Sequence, residues 1–407
     1  TVSLLDAVDD DVDGPLVAPG SVQIDAPRAH LAFTELKSSE TYVVSLDDLA
    51  APAPSVPGSL VALAFDHVVT ATNRGDSVLL DLSSFEGERI GTVEVPPPAG
   101  VMLVDESTAI VVSKSADGGR TWSDAVALRT DGAANFNDKE SLTADSTDAR
   151  YVYATWDRLT GNNGPTWFAR TTNAGTTWEA ARNIYDPGIN SQTLNNQIVV
   201  LPDGTLVLFF TELANVGAQN ARLRIIRSSD KGATWSAPIT VSDLQTVGTV
   251  DPDTGTGIRD GSGIGSIAVG ANGTLAVAWQ DSRFAAGTHD DVAFSRSQDG
   301  GLTWSAPIRI NGAPNAPALV PAVTIRADGV IGVTYYDLRE NTPDPATLPT
   351  STWIARSSDG IAWTETRAAP NFDYSKAPLA GGRYFLGDYA AMTSVGTTFL
   401  SFFGEAT

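Results

Sequence analysis

The chain has 407 residues, no cysteine and a formal net charge of -22, which excludes a disulfide framework, a thiolate metal centre and a cysteine nucleophile. Nucleic acid and anionic membranes would repel such a surface over a Debye length of about 8 Å, so neither is expected as a partner. Arginine outnumbers lysine 21 to 5, which leaves room for a local cationic cluster in an otherwise acidic protein.

No run of about 18 apolar residues is present, so no membrane-spanning helix is expected. The sequence begins at Thr1 without an initiator methionine, the pattern expected of a processed or trimmed N-terminus. Residues 1–20 hold Asp6, Asp9, Asp10, Asp11 and Asp13 with no basic residue, and read as an acidic, solvated lead-in. Short β-branched runs over residues 22–48, 60–69 and 78–82 predict strands, with a proline-rich link at Ala51 to Pro57 between the first two.

From Ser115 onward one octapeptide sets the organisation. Ser115 to Trp122 reads SADGGRTW and returns as TTNAGTTW at Thr171, SSDKGATW at Ser228, SQDGGLTW at Ser297 and, one residue short, SSDGIAW at Ser357. The marker acid or its equivalent falls at 117, 173, 230, 299 and 359, spacings of 56, 57, 69 and 60 residues. Each interval has room for four strands. A first pair is joined by Pro202-Asp203-Gly204, Ala271-Asn272-Gly273 or Ala327-Asp328-Gly329, a third strand leads into the marker and a fourth leaves it. The marker is therefore a hairpin turn, and its tryptophan, present in every unit, serves folding rather than chemistry.

Repeated four-stranded units predict an all-β fold, a β-propeller of antiparallel blades. Six blades are expected, with seven as the alternative. Residues 21–407 would then form a single propeller closed by N- and C-terminal strands that share one blade.

The markers resemble the Asp-box, or BNR repeat, of the sialidase superfamily, whose pattern is S/T-x-D-x-G-x-T-W. The likeness covers residues 100–407 and implies a propeller that acts on carbohydrate. It also implies a nucleophilic tyrosine at the start of a first strand in the last unit, where Tyr389 stands in Gly387-Asp388-Tyr389. The chain departs from the family pattern elsewhere. Asn195 stands where a glutamate is expected, Thr211 where an arginine is expected, and the F/Y-R-I-P motif is replaced by Ala26-Pro27-Arg28-Ala29.

The repeat register exposes two sets of candidate site residues. At the end of each second strand lies an acid, Asp157, Glu212, Asp281, Asp337 and Glu405, three of them followed closely by Arg158, Arg283 and Arg339. These pairs read either as loop braces or as a mixed-charge rim that could bind sugar hydroxyls and clamp a carboxylate. The unrepeated residues at the entries of the first strands carry more weight, because chemistry needs asymmetry. They are Asp138-Lys139-Glu140, Asn195-Asn196, Arg259-Asp260 and Asp388-Tyr389. The surplus of the 69-residue interval falls on a glycine-rich loop around Asp251 to Gly261, expected to wall a pocket.

The combined expectation is a secreted or cell-surface, monomeric carbohydrate-active enzyme, a sialidase-like glycoside hydrolase acting on an acidic sugar. Tyr389, Asp138 and Glu212 are the candidate catalytic residues. Arg259, Arg283, Arg339, Asp157, Asp281 and Asp337 are the candidate substrate contacts. A polysaccharide lyase acting on a uronate, with Tyr389 or His289 as base, and a non-catalytic glycan- or protein-binding propeller are the alternatives. No metal is assigned; calcium at Asp251, Asp253 and Asp260 is the one cofactor considered.

Overall fold

The computed structural model of the protein describes residues 109–115, 121–131, 134–216 and 221–406, with the backbone of eight strands between Gln23 and Val95. The acidic lead-in 1–20, Arg28 and the turn residues 116–120 of the first marker lie outside the described residues. The chain divides into two compact units, Thr1–Leu103 with Ser113–Val126, and Val104–Val112 with Ala127–Thr407.

The eight strands of the first unit form two four-stranded antiparallel sheets, each in chain order. One holds Gln23–Asp25, His30–Thr34, Glu40–Ser45 and Ser55–Pro57; the other holds Ser59–Ala64, His67–Asn73, Val78–Ser84 and Arg89–Val95. The strands predicted over 22–48 pair with one another in the first of these sheets.

The second unit is built on the repeat. Four complete antiparallel sheets follow one another, each in chain order. The first is Asn135–Ala144, Val152–Thr160, Thr166–Thr171 and Arg182–Tyr185. The second is Ser191–Val200, Leu206–Ala214, Ala221–Ser228 and Ile239–Leu244. The third is Ser266–Val269, Leu275–Asp281, Asp291–Ser297 and Ile308–Arg309, and the fourth is Ala318–Ile325, Ile331–Asp337, Pro349–Ser357 and Thr364–Arg367. Two hairpins complete the set, Ala109–Val112 with Val126–Thr130 and Ala391–Val395 with Thr398–Phe402. The result is an all-β, propeller-like array whose first strands neighbour one another in sequence.

The sheets stack face to face, and this explains the apolar second strands. Leu275–Asp281 and Ile331–Asp337 are buried along their whole length. Alternate residues of one strand serve opposite neighbours. Leu206, Leu208 and Phe210 pack with Tyr153 and Phe168 of the first sheet, whereas Val207 and Phe209 pack with Leu275, Val277 and Trp279 of the third. Phe294 in turn meets Val323, Val333 and Tyr335 of the fourth.

The four fully described markers are hairpin turns between third and fourth strands, as the repeat predicts. Their acid or amide oxygen accepts a backbone N–H at a constant 2.9 Å, from Thr177 to Asn173, Thr234 to Asp230, Thr303 to Asp299 and Ala362 to Asp359. Gly232 turns at φ +84°, and a Cβ there would sit 2.6 Å from the Phe168 ring of the preceding sheet. Trp235 meets the same ring edge-on at 5.6 Å, and Trp363 meets Phe294 at 4.9 Å. The marker tryptophans thus staple each sheet to its predecessor.

Candidate active site

Antiparallel order places the start of every first strand, and the end of every second, on the face opposite the markers. At that face three first strands carry the same distortion. The register slips between Asp138 and Ser141, between Leu194 and Gln197, and between Leu319 and Ala322. Within each bulge one residue without glycine's freedom adopts positive φ: Lys139 at 54°, Asn195 at 62° and Val320 at 52°. Such bulges bend a strand and re-aim its side chains, at a cost in backbone strain that concentrates at functional sites.

All three residues line one pocket of about 340 Å³. Its wall also includes Glu140, Asn196, Asp260, Asp388 and Tyr389. The loop after the second sheet walls it, as expected from its length. Gly257–Ile258 pairs with Thr249–Val250 and, in parallel, with Arg383–Tyr384, which holds the loop beside the segment that carries Asp388.

Asp388 ties the pocket together. Its Oδ2 accepts from Lys139 Nζ at 2.5 Å and from the Arg259 guanidinium at 2.9 Å, while Oδ1 takes Arg259 Nε at 3.2 Å. Burial alone would lower the Lys139 ammonium, but the hydrogen bond to Asp388 and the nearby Tyr389 and Asp138 hold it above its usual range. Burial works against the Asp388 carboxylate too, and is outweighed by Lys139 and then Arg259, so this acid sits below its usual range. Tyr389 is 59% exposed, with its ring centre 4.8 Å from Lys139 Nζ. Burial of its hydroxyl raises it, Lys139 pulls it back, and the charges of Asp138 and Glu140 raise it further.

The structure brings some of the expected residues together and separates others. Tyr389 lines the pocket and Arg259 is bonded to it through Asp388. Asp138 lines a neighbouring cavity of about 360 Å³, shared with Glu140 and Phe136. Asp157 is buried at 1% exposure. Arg283 is held by Asp281 at 2.7 Å and by the Ser242 hydroxyl at 3.0 Å, and Arg339 by Asp337 and by Glu365 at 3.0 Å. Asp281 and Asp337 also accept an indole N–H, from Trp279 at 2.8 Å and Trp353 at 3.1 Å. These two acid–arginine pairs are loop braces, and neither lines the pocket. Arg158 braces Asp131 rather than Asp157, at 2.6 Å. Glu212 bonds the Tyr185 hydroxyl and lies 3.3 Å from Arg224. His289 stands 4.0 Å from Asp291 and does not line the pocket.

The acids considered for calcium are engaged separately. Asp251 accepts the backbone N–H of Asp253 and the hydroxyl of Thr254, Asp253 accepts from Asn341, and Asp260 accepts from Gln280. Lys139, Glu140, Asn195, Asn196, Asp260 and Asp388 gain a place in the site beyond the residues first assigned roles. The signal for them was their position at the entries of the first strands, unrepeated from unit to unit.

Stacked four-stranded sheets, Asp-box hairpins on one face and an asymmetric polar pocket on the other define an Asp-box protein of the propeller-like class. The chain belongs to the BNR repeat-like domain family, which matches residues 166–369. No curated protein matches the chain. Among solved structures it is similar to a protein of unknown function from Dyadobacter fermentans, at TM-score 0.46 and 14% identity over 82% of this chain and 89% of that one. It is also similar to a mutant of the NanB sialidase from Streptococcus pneumoniae, at TM-score 0.42 and 8% identity over 93% and 86%. A GH93 α-L-arabinofuranosidase of Fusarium graminearum matches at TM-score 0.41 and 15% identity over 65% and 76%.

Proposed function

We propose that the protein is a secreted carbohydrate-active enzyme, a glycoside hydrolase that works through the pocket at the first-strand ends. The observation that carries this reading is Tyr389, its ring exposed in the pocket 4.8 Å from the Lys139 ammonium, with the Glu140 carboxylate in the same pocket wall. A tyrosine nucleophile needs such a setting: a carboxylate to take its proton and a cation to stabilise the phenolate. The phenolate oxygen would bond to the anomeric carbon as the glycosidic C–O bond breaks, and a carboxylic acid would return a proton to the leaving oxygen. Water then releases the sugar from Tyr389. Lys139 in the pocket wall and Arg259 beside it on Asp388 are the cations at hand for an acidic substituent, while the Asn196 amide nitrogen, which has no partner, is a donor for a neutral hydroxyl.

Incubation with sialylated, uronate-containing and neutral glycans, read by mass, tests the reading. Products that gain one water support hydrolysis, and Tyr389→Phe should reduce their formation by at least 100-fold. Unsaturated products would instead establish a lyase. Intact ligand that binds saturably would establish a binding propeller and remove the catalytic role of Tyr389.

A further inference from the structure

The ladder between Asn135–Ala144 and Val152–Thr160 sets Asp138 directly opposite Asp157. Cross-strand partners point to the same face with Cβ atoms about 4.5–5.5 Å apart, so the two acids stand side by side. Their surroundings differ. Asp138 lines the cavity next to the pocket, and its Oδ1 accepts the backbone N–H of Lys139 at 2.9 Å. Asp157 is 1% exposed, and neither of its carboxyl oxygens takes part in a hydrogen bond of ordinary geometry; the backbone N–H of Asn195 approaches without completing one. The arginine next in sequence turns to Asp131, and the charged groups that face Asp157 are Asp138 and Lys139, whose ammonium is bonded to Asp388. A bare carboxylate in that position, beside a second one, is far costlier than a neutral carboxylic acid, whose O–H needs only one acceptor.

We propose that Asp157 and Asp138 share a single proton, with Asp157 the carboxylic acid and Asp138 the acceptor of its O–H, so that Asp157 positions the Asp138 carboxylate for proton transfer in the cavity it lines. Burial, and after it the charge of Asp138, pushes Asp157 well above the usual carboxylate range, in keeping with this arrangement. Asp157 then touches no substrate; it acts through Asp138. The catalytic consequence rests on the proposed glycosidase reading, whereas the shared proton does not.

The infrared difference spectrum between the unaltered protein and Asp157→Asn, at pH 7, tests the shared proton directly. Loss of a protonated carboxyl C=O band is expected. A difference made only of ionised carboxylate bands overturns the proposal. In Asp138→Asn the same band should persist, shift in frequency because its acceptor is now an amide, and titrate at lower pH. An unshifted band shows that no proton is shared. Should Asp157→Asn fail to fold, the spectrum of Asp138→Asn against the unaltered protein carries the test by that shift. On a substrate that is turned over, Asp157→Leu should move the acid limb of kcat/KM up by about one pH unit, and Asp157→Asn, which keeps a donor, should restore it. An equal shift in both variants refutes the positioning role. Absence of turnover in the unaltered protein would refute the glycosidase reading and leave the infrared result standing.

Discussion

Replacing Asp388 by alanine removes the carboxylate that holds Lys139 and Arg259 at the pocket. The Lys139 and Asp388 side chains are 8% and 12% exposed, so truncating one partner leaves a buried, unpaired ammonium, a change that costs about 3–5 kcal/mol. Arg259 is 49% exposed, and losing its pairing adds at most about 1 kcal/mol. The expected loss is about 4 kcal/mol, or close to 8 °C in melting temperature at about 2 °C per kcal/mol for a unit of this size. Tryptophan fluorescence during thermal and urea unfolding measures it. The double variant Lys139→Met with Asp388→Ala, which removes the stranded charge, should recover at least half of the loss. Asp388 is an acid held below its usual range, so its contribution is present above the unfolded-state value and fades as the pH falls through the folded one. The stability gap between the single variant and the unaltered protein should therefore begin to close only below about pH 4 and narrow further as the pH falls through the folded-state value. A single-variant cost under about 1 kcal/mol, or a double variant no more stable than the single one, would refute the idea that this ion pair organises the pocket.

Other consequences follow from the same structure. Gly232→Ala combines positive φ with a Cβ 2.6 Å from the Phe168 ring and should cost about 2–4 kcal/mol by chemical denaturation, whereas Gly161→Ala, with nothing within 4 Å, should cost about 1 kcal/mol. Asp157 is raised, so its contribution is fully present below the unfolded-state value and is lost as pH rises through the folded one. Asp157→Asn should therefore melt higher than the unaltered protein at pH 8 and lose that advantage at pH 4. Asp230 and Asp299 are held at about 2, first by the hydroxyls of Thr234 and Thr303 and then by the backbone N–H groups of the same residues. Stability from these turns should fall as the pH drops from about 4 towards 2. Asp230→Asn with Asp299→Asn should flatten that fall while preserving the fold at pH 7, since Asn173 already fills the equivalent place with both its amide groups bonded.

The scaffold was legible in the chain because it rests on local chemistry repeated several times. A turn needs its acid, its glycine and its tryptophan at fixed offsets, whatever lies elsewhere, and the four described markers fold alike. The strands flanking them announce themselves by apolar runs, and the face opposite the markers follows from antiparallel order alone. The unrepeated residues on that face were legible for the same reason, and the structure gathers Lys139, Glu140, Asn195, Asn196, Asp260, Asp388 and Tyr389 around one pocket.

What the order of residues left open was which charges meet. Asp281 and Asp337 occupy the same register position as Asp157, and each is followed by an arginine. Yet the first two are neutralised by that arginine and by an indole, while Arg158 turns away and leaves Asp157 alone beside Asp138. Arg158, Arg283 and Arg339 share a sequence context, yet two pair with the acid just before them and the third with Asp131, because a long side chain pairs with whichever acid burial brings within reach. Asp388 finds Lys139 across 249 positions of sequence, a pairing that only the stacking of sheets creates. Sequence alone determined the repeated sheets, their turns and the face that holds the pocket. Tertiary structure decided which carboxylate braces a loop, which joins two cations and which is buried without a partner, since those outcomes depend on distance and desolvation between segments far apart in the chain.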